Sequence, residues 1–264
     1  MKKIELNDLN KANFAVQEAF KALRTNICFC GDDVRVIAVT SSFANEGKSE
    51  LSLRLAYAFA ETGAKTLLLD TDIRNTRLQI RLNAVNGEVG LSNVLAKKYE
   101  EVSDYIRKTT MYSLDILFAG QEAPNPAELL GKEKFKTILE SLKEQYEYII
   151  VDCPPLIPVI DAAIVAKECD GTLLVIAQNG IRKSDAKKAL DQLKLSGARI
   201  LGTVLNKVQL ESKNYGYGYG GYHKYGKYGR YGYGYDYGYG YGYGRKRSEE
   251  PEPEETKTKE KKRG

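Results

Sequence analysis

The chain has 264 residues and a formal net charge of +5, too mild a bias to imply a nucleic-acid partner. Four cysteines (Cys28, Cys30, Cys153, Cys169) lack metal-site spacing, and the single histidine, His223, stands near the C-terminus; this excludes Ser-His and Cys-His nucleophile pairs and His-ligated metal centres. The cysteines read as reduced thiols of a cytosolic protein, with neither a signal peptide nor an apolar run of membrane-spanning length.

In chain order, residues 1–32 form a polar segment whose pattern predicts a helix over 13–28. Glu18, Lys21 and Arg24 fall on one charged side of it. A solvated face accounts for that side, and a subunit contact is the alternative. Residues 34–50, VRVIAVTSSFANEGKSE, then organise the rest. A buried strand runs into a turn ending in Gly47-Lys48-Ser49, and an apolar helical stripe follows from Leu51. Strand, loop and helix in that order are the context a phosphate-binding Walker A loop requires, although Ser42 stands where the general pattern has glycine. Asn45, Glu46, Gly47, Lys48, Ser49 and Glu50 are the candidate nucleotide contacts. Lys48 would reach the β/γ-phosphates, and the Ser49 hydroxyl would meet Mg²⁺.

The next short strand, over 66–69, delivers Asp70 and Asp72 just beyond its end, where open α/β sheets bind ligands. An Asp-rich turn or helix cap is the competing explanation. Residues 76–110 read as helical and polar, with a turn at Asn86-Gly87 and a short helix from Gly90. A strand over 113–118 leads into a Pro-rich loop and a helix over 133–145. Four apolar residues then end in Asp152, the Walker B pattern whose carboxylate orders Mg²⁺ and its waters, and Pro154-Pro155 enforce an extended exit. A strand over 172–177, a helix over 182–195 and a strand over 199–205 ending at Asn206 complete the alternation. The expected fold is α/β: one doubly wound, mostly parallel sheet of the P-loop NTPase class, spanning residues 33–208.

Beyond it the composition changes. Residues 209–247 hold thirteen of the chain's 19 tyrosines, at Tyr215, Tyr217, Tyr219, Tyr222, Tyr225, Tyr228, Tyr231, Tyr233, Tyr235, Tyr237, Tyr239, Tyr241 and Tyr243. Glycine accompanies most of them and no aliphatic residue falls among them, so a disordered tail is expected. Residues 248–264 are a Glu/Lys-rich, equally disordered end. A passive linker and a base-stacking surface are possible uses of the tyrosines. A P-loop enzyme carrying such an array points instead to phosphoacceptors.

With those residues assembled, the chain resembles the bacterial tyrosine kinases of the cytoplasmic, capsule- or exopolysaccharide-associated type. The resemblance rests on Glu18-x-x-Lys21-x-x-Arg24-Thr25-Asn26, Gly47-Lys48-Ser49, Leu69-Asp70-Thr71-Asp72-Ile73-Arg74, Pro124-Asn125-Pro126-Ala127-Glu128-Leu129-Leu130, Ile150-Val151-Asp152-Cys153-Pro154-Pro155 and the tyrosine cluster. It implies an ATP- and Mg²⁺-dependent autokinase controlling polysaccharide polymerisation and export. Lys48 would hold the phosphates, Ser49, Asp72 and Asp152 would serve the metal, and Asp70 would be the base for the incoming tyrosine. It implies a homo-oligomeric ring through the Glu18/Lys21/Arg24 helix, with phosphorylation in trans. A membrane adaptor would hold the kinase at the inner face of the membrane, and a cognate tyrosine phosphatase would oppose it. Asn206 is a candidate contact to adenine. Lys21 replaces an arginine of the family's ring motif, keeping charge without the bidentate fork. Glu50 stands where Ser or Thr is common, and Asn75-Thr76 replace a basic residue and proline. The rival functions are a MinD/ParA-like ATPase, disfavoured by Ser42 and Phe43 where that group has its signature lysine, and a nonenzymatic ATP-binding regulator that presents the tail to a partner.

Overall fold

The computed structural model describes residues 3–6, 9, 13–75, 77–84, 89–97 and 100–209. The tyrosine array, the charged terminus and the Asn86-Gly87 turn lie outside the described residues.

Helix α1 (Phe14–Cys28) starts where the Asn13 side chain accepts a hydrogen bond from the Ala15 amide at 3.0 Å, an N-cap that satisfies one orphan donor of the first turn. Strand β1 (Val36–Ser41) follows, then α2 (Lys48–Ala60), β2 (Thr66–Asp70) and the short helices α3 (Arg77–Arg81) and α4 (Leu91–Ala96). A 3₁₀ turn at Val102–Tyr105 precedes β3 (Arg107–Lys108) and β4 (Leu114–Leu117). Helices α5 (Pro126–Leu130) and α6 (Glu133–Gln145), β5 (Tyr148–Asp152), α7 (Asp161–Lys167), β6 (Gly171–Ala177), α8 (Lys183–Leu195) and β7 (Ile200–Asn206) complete the order.

The seven strands form one sheet in the order β3-β4-β2-β5-β1-β6-β7. All pairings are parallel except β3 with β4, an antiparallel edge that the sequence pattern does not reveal. Residues of β1 and β2 are buried on both faces, as a sheet covered by helices on each side requires. Their period-2 alternation splits the core in two. Val36, Ala38, Leu67 and Leu69 join the cluster with Phe135 and Leu139 of α6. Ile37, Val39 and Leu68 join the cluster with Leu55 and Phe59 of α2. Each such fully buried aliphatic side chain contributes about 1.5–3 kcal/mol. The central strands β1, β2 and β5 therefore sit rigidly side by side, and whatever follows their carboxyl ends is brought to one place.

Candidate functional site

Strands β2 and β5 run in parallel register with Asp70 opposite Asp152. Strand β1 pairs β5 with Val39 opposite Asp152, so the loop after β1 lies beside both carboxylates. Backbone bonds knit these ends together. Thr71 donates from both its amide and its hydroxyl to the Asp152 carbonyl at 2.9 Å, and the Leu156 and Ile157 amides donate to the Ser41 and Ser42 carbonyls. The extended Pro154-Pro155 exit thus runs along the start of the phosphate loop.

A cavity of about 470 Å³ opens at this end of the sheet. Lys48, Ser49, Asp70, Asp72 and Asp152 line its inner end; Asn45, Gly47, Glu50, Arg74 and Arg77 also contribute to its walls. That volume is the size of an ordinary small-ligand cleft. The structure brings together the four residues expected to do the chemistry. Lys48 Nζ donates to Asp72 Oδ2 at 3.2 Å and lies 3.3 Å from Ser49 Oγ. Ser52, one turn into α2, donates to Asp152 Oδ1 at 3.0 Å, and the Asp72 amide donates to Asp70 Oδ1 at 2.9 Å.

Asp70, Asp72 and Asp152 are all buried. Burial pushes the Asp70 carboxyl well above its ordinary range, and the neighbouring Asp152 charge pushes it the same way. Burial also raises Asp72, while Lys48 pulls it back down. For Lys48 burial acts to lower the pKa, but the charges of Asp152, Asp72 and Asp70 outweigh it and hold the ammonium above its usual value. The adjacent Cys153 thiol is pushed up to about 12 by burial, so it is inert.

The loop residues divide. Gly47 caps α2 in the left-handed region, φ 93°, and a Cβ there would fall 2.1 Å from Asn206 Nδ2. Asn45 is also left-handed, at φ 66°. Glu46 turns inward: its carboxylate accepts from the Phe43 amide at 2.7 Å and the Ala177 amide at 3.2 Å, making it a brace for the loop. Asn206 donates to the Glu46 carbonyl at 2.8 Å and does not line the cavity, so its amide clasps the loop from behind. Glu50 does line the cavity, but Arg54 and Arg81 both pair with it. An unpaired carboxylate facing the phosphates is thereby avoided.

Glu18, Lys21 and Arg24 lie outside the cavity. Glu18 and Lys21 form an exposed pair at 2.8 Å, and Arg24 Nη1 donates to the Ala58 carbonyl of α2 at 2.6 Å. Asp161, which carried no motif signal in the sequence, is a buried acid in the first turn of α7. It accepts two hydrogen bonds from Arg74, at 2.6 and 3.1 Å.

A glycine-capped loop, a buried lysine and carboxylates at neighbouring strand ends define a nucleotide-binding P-loop α/β protein. The family model described as an AAA domain matches residues 34–209. Tyrosine-protein kinase CpsD of Streptococcus agalactiae is 39% identical over 208 residues, covering 79% of this chain and 90% of that protein. Tyrosine-protein kinase etk of Escherichia coli is 34% identical over 202 residues, 75% of this chain but 27% of the relative. The solved kinase domain of the Escherichia coli enzyme matches with a TM-score of 0.70 at 32% identity, over 77% of this chain and 80% of that one. MinD of Pyrococcus horikoshii, solved with Mg-ADP, matches more distantly, with a TM-score of 0.56 at 26% identity over 65% and 70% of the two chains. The chain belongs to the bacterial tyrosine kinases, and the MinD-like reading is the less supported one.

Proposed function

We propose that this protein is an ATP-dependent tyrosine autokinase that phosphorylates its own C-terminal tyrosine array in trans and thereby regulates capsule or exopolysaccharide polymerisation and export. The observation that carries the reading is the convergence of Lys48, Asp70, Asp72 and Asp152 on one cavity, in a chain that also bears thirteen clustered tyrosines.

The residues fit ATP and Mg²⁺. The Gly47-capped helix start offers backbone N–H groups to phosphates, and Ser49, Asp72 and Asp152 supply the hard oxygen donors that Mg²⁺ takes alongside phosphate oxygens. Bound Mg²⁺ would supply positive charge that offsets the charge of the phosphates. Lys48 holds the phosphates and stays protonated because three carboxylates surround it. Tyrosine, with an ordinary pKa of about 10, must lose its proton as the phosphoryl group arrives. Asp70 is the acceptor: a carboxylate whose basicity is raised by burial and by Asp152 takes a proton more readily than an exposed one.

Helix α1 is the assembly surface of this reading. It buries only Ile27 outright and leaves Phe14 72% exposed, which suits an element completed by another subunit. A membrane adaptor protein of the kind that the family resemblance implies is the partner of this reading. Among the described residues no helix is long and apolar enough to cross a membrane, so the adaptor would hold the kinase at the inner face of the membrane. A cognate tyrosine phosphatase would reset the tail.

Intact-mass spectrometry after incubation with ATP and Mg²⁺ tests the reading, with wild type, Lys48→Met and a deletion of residues 215–243 run with and without an adaptor fragment. A ladder of phosphate additions that needs both Lys48 and the tail is expected. ATP binding without any transfer, even with adaptor, would overturn it in favour of an ATPase or a regulator.

A further inference from the structure

Among the described residues four cations line the cavity: Lys48, Arg74, Arg77 and Arg81. Lys48 is committed to the carboxylates at the inner end, and Arg81 to Glu50. Arg77 projects from the short α3 and donates its Nε to the Asn75 amide oxygen at 3.1 Å. Arg74 differs from all three. Its partner Asp161 is almost wholly buried, 1% exposed, and does not line the cavity, whereas Arg74 does and is 41% exposed. The acid therefore grips the arginine from behind.

The grip is a fork. Nε donates to Asp161 Oδ2 at 2.6 Å and Nη2 to Oδ1 at 3.1 Å, the bidentate arrangement that fixes the guanidinium plane. A guanidinium carries five N–H donors, so this pairing leaves the Nη1 edge available to a ligand. Arg74 also stands two residues beyond Asp72, close enough for the Asp72 charge to act on it. Released from Asp161, Arg74 would be free to compete with Lys48 for that carboxylate.

We propose that Arg74 contacts the transferable terminal phosphate of the bound nucleotide, and that Asp161 is the positioning residue that aims it there. This deepens the kinase reading and rests on it for the identity of the nucleotide. A planar, permanently charged fork suits a phosphoryl group whose charge spreads over three oxygens, and a guanidinium aimed in advance needs no rearrangement as transfer proceeds. Asp161 touches no substrate and acts only through Arg74.

The test is calorimetric titration of the full chain with Mg-ATP and Mg-ADP, alongside phosphate incorporation by intact mass. Wild type, Arg74→Lys, Asp161→Asn, Asp161→Glu and the Arg74→Lys/Asp161→Asn double variant are compared. Arg74→Lys and Asp161→Asn should each lower the ratio of ATP to ADP affinity about tenfold with ADP affinity held, and lower transfer by about 10²-fold or more. The double variant should be no worse than Arg74→Lys, because both remove one aimed group, and Asp161→Glu should recover part of the ratio. If Asp161→Asn does not fold, Arg74→Lys and Asp161→Glu still decide the matter. Variants that keep the wild-type ratio, or that weaken ATP and ADP equally with a lower Tm, would overturn the proposal. A wild type that binds both nucleotides and transfers nothing would count against the kinase reading alone, and the affinity ratio would still judge Arg74 and Asp161.

Discussion

Lys48→Met keeps a long unbranched side chain and removes one positive charge from among three buried carboxylates. Lys48 Nζ lies 3.2 Å from Asp72 Oδ2, with both side chains about a tenth exposed. At an effective dielectric of about 20, unit charges at that separation attract by roughly 5 kcal/mol. Desolvation of the pair offsets much of this, and removing one partner of a buried pair typically costs about 3–5 kcal/mol. Protonating a carboxyl of ordinary pKa about 4 costs about 5–6 kcal/mol at pH 8, so escape by protonation of Asp70, Asp72 or Asp152 does not relieve the loss there. About 3 kcal/mol is the smallest loss expected. For a domain of this size that lowers Tm by about 6–12 °C. The sign with pH follows from the carboxylates. Without Lys48 the folded pKa values of Asp70 and Asp72, already raised by burial, rise further above the unfolded ones, so stability is retained below the ordinary carboxylate pKa and lost as pH climbs through the raised values. Lys48 itself stays charged throughout, its folded pKa lying above its usual value. Scanning calorimetry of nucleotide-free protein at pH 4.5 and pH 8 checks the argument. The wild-type advantage should be small at the lower pH and full at the higher. Equal Tm values at pH 8 would mean that the three carboxylates do not depend on Lys48, and the electrostatic account of the site would fail.

Asp70→Asn should abolish transfer yet raise Tm by several degrees at pH 8 and little at pH 4. Burial and Asp152 raise the folded pKa of Asp70, so its ionisation costs stability as pH rises, and asparagine cannot ionise; a Tm that falls at pH 8 would contradict this. Arg81→Ala should weaken Mg-ATP binding a few-fold, on the order of 0.5–1 kcal/mol, because it leaves Glu50 with Arg54 alone beside the phosphates. Titrations at 50 and 500 mM salt should show that loss shrinking as screening grows. Asn206→Ala should weaken ATP and ADP binding equally, by about five- to tenfold, because it leaves the Glu46 carbonyl without its 2.8 Å partner and loosens the loop without touching the ligand. A loss confined to adenine nucleotides relative to guanine nucleotides would instead assign Asn206 to base recognition.

The site's acids and lysine were legible because each stands in a local pattern. An apolar run of four or five residues ending in a polar one marks a buried parallel strand and its carboxyl end, and the fold supplies the rest. Asp70, Asp72 and Asp152 each stand in or just beyond such a pattern, and register then places Asp70 beside Asp152. Side-chain direction is another matter. Glu46 and Glu50 are neighbours of the same lysine, yet one braces the loop from inside and the other faces the cavity between two arginines. Nothing in their spacing distinguishes them, because loop backbone has no fixed period. Asn206 sits at a strand end where a base contact is reasonable, and the structure adds what the sequence does not show, an amide N–H given to the Glu46 carbonyl across the loop. Strand β3 leaves no mark in the sequence because two residues give no alternation to read, and Asp161 leaves none because α7 is too short to display a helical stripe.

What those omissions share is that their meaning lies in pairs distant in sequence. Arg74 belongs to a recognisable motif, but the buried acid that grips it stands 87 residues away. Arg81 lies 31 positions beyond the Glu50 it neutralises, across a helix and a strand. Both pairs do the same physical work. The inner end of the cavity concentrates three carboxylates against one lysine, an arrangement that would repel a nucleotide's phosphates if the walls were acidic as well. Pairing Glu50 removes one wall charge, and pinning Arg74 presents a cation without letting it collapse onto Asp72. The motifs set the chemistry at the strand ends, and these long-range pairs keep the surrounding field open to an anion.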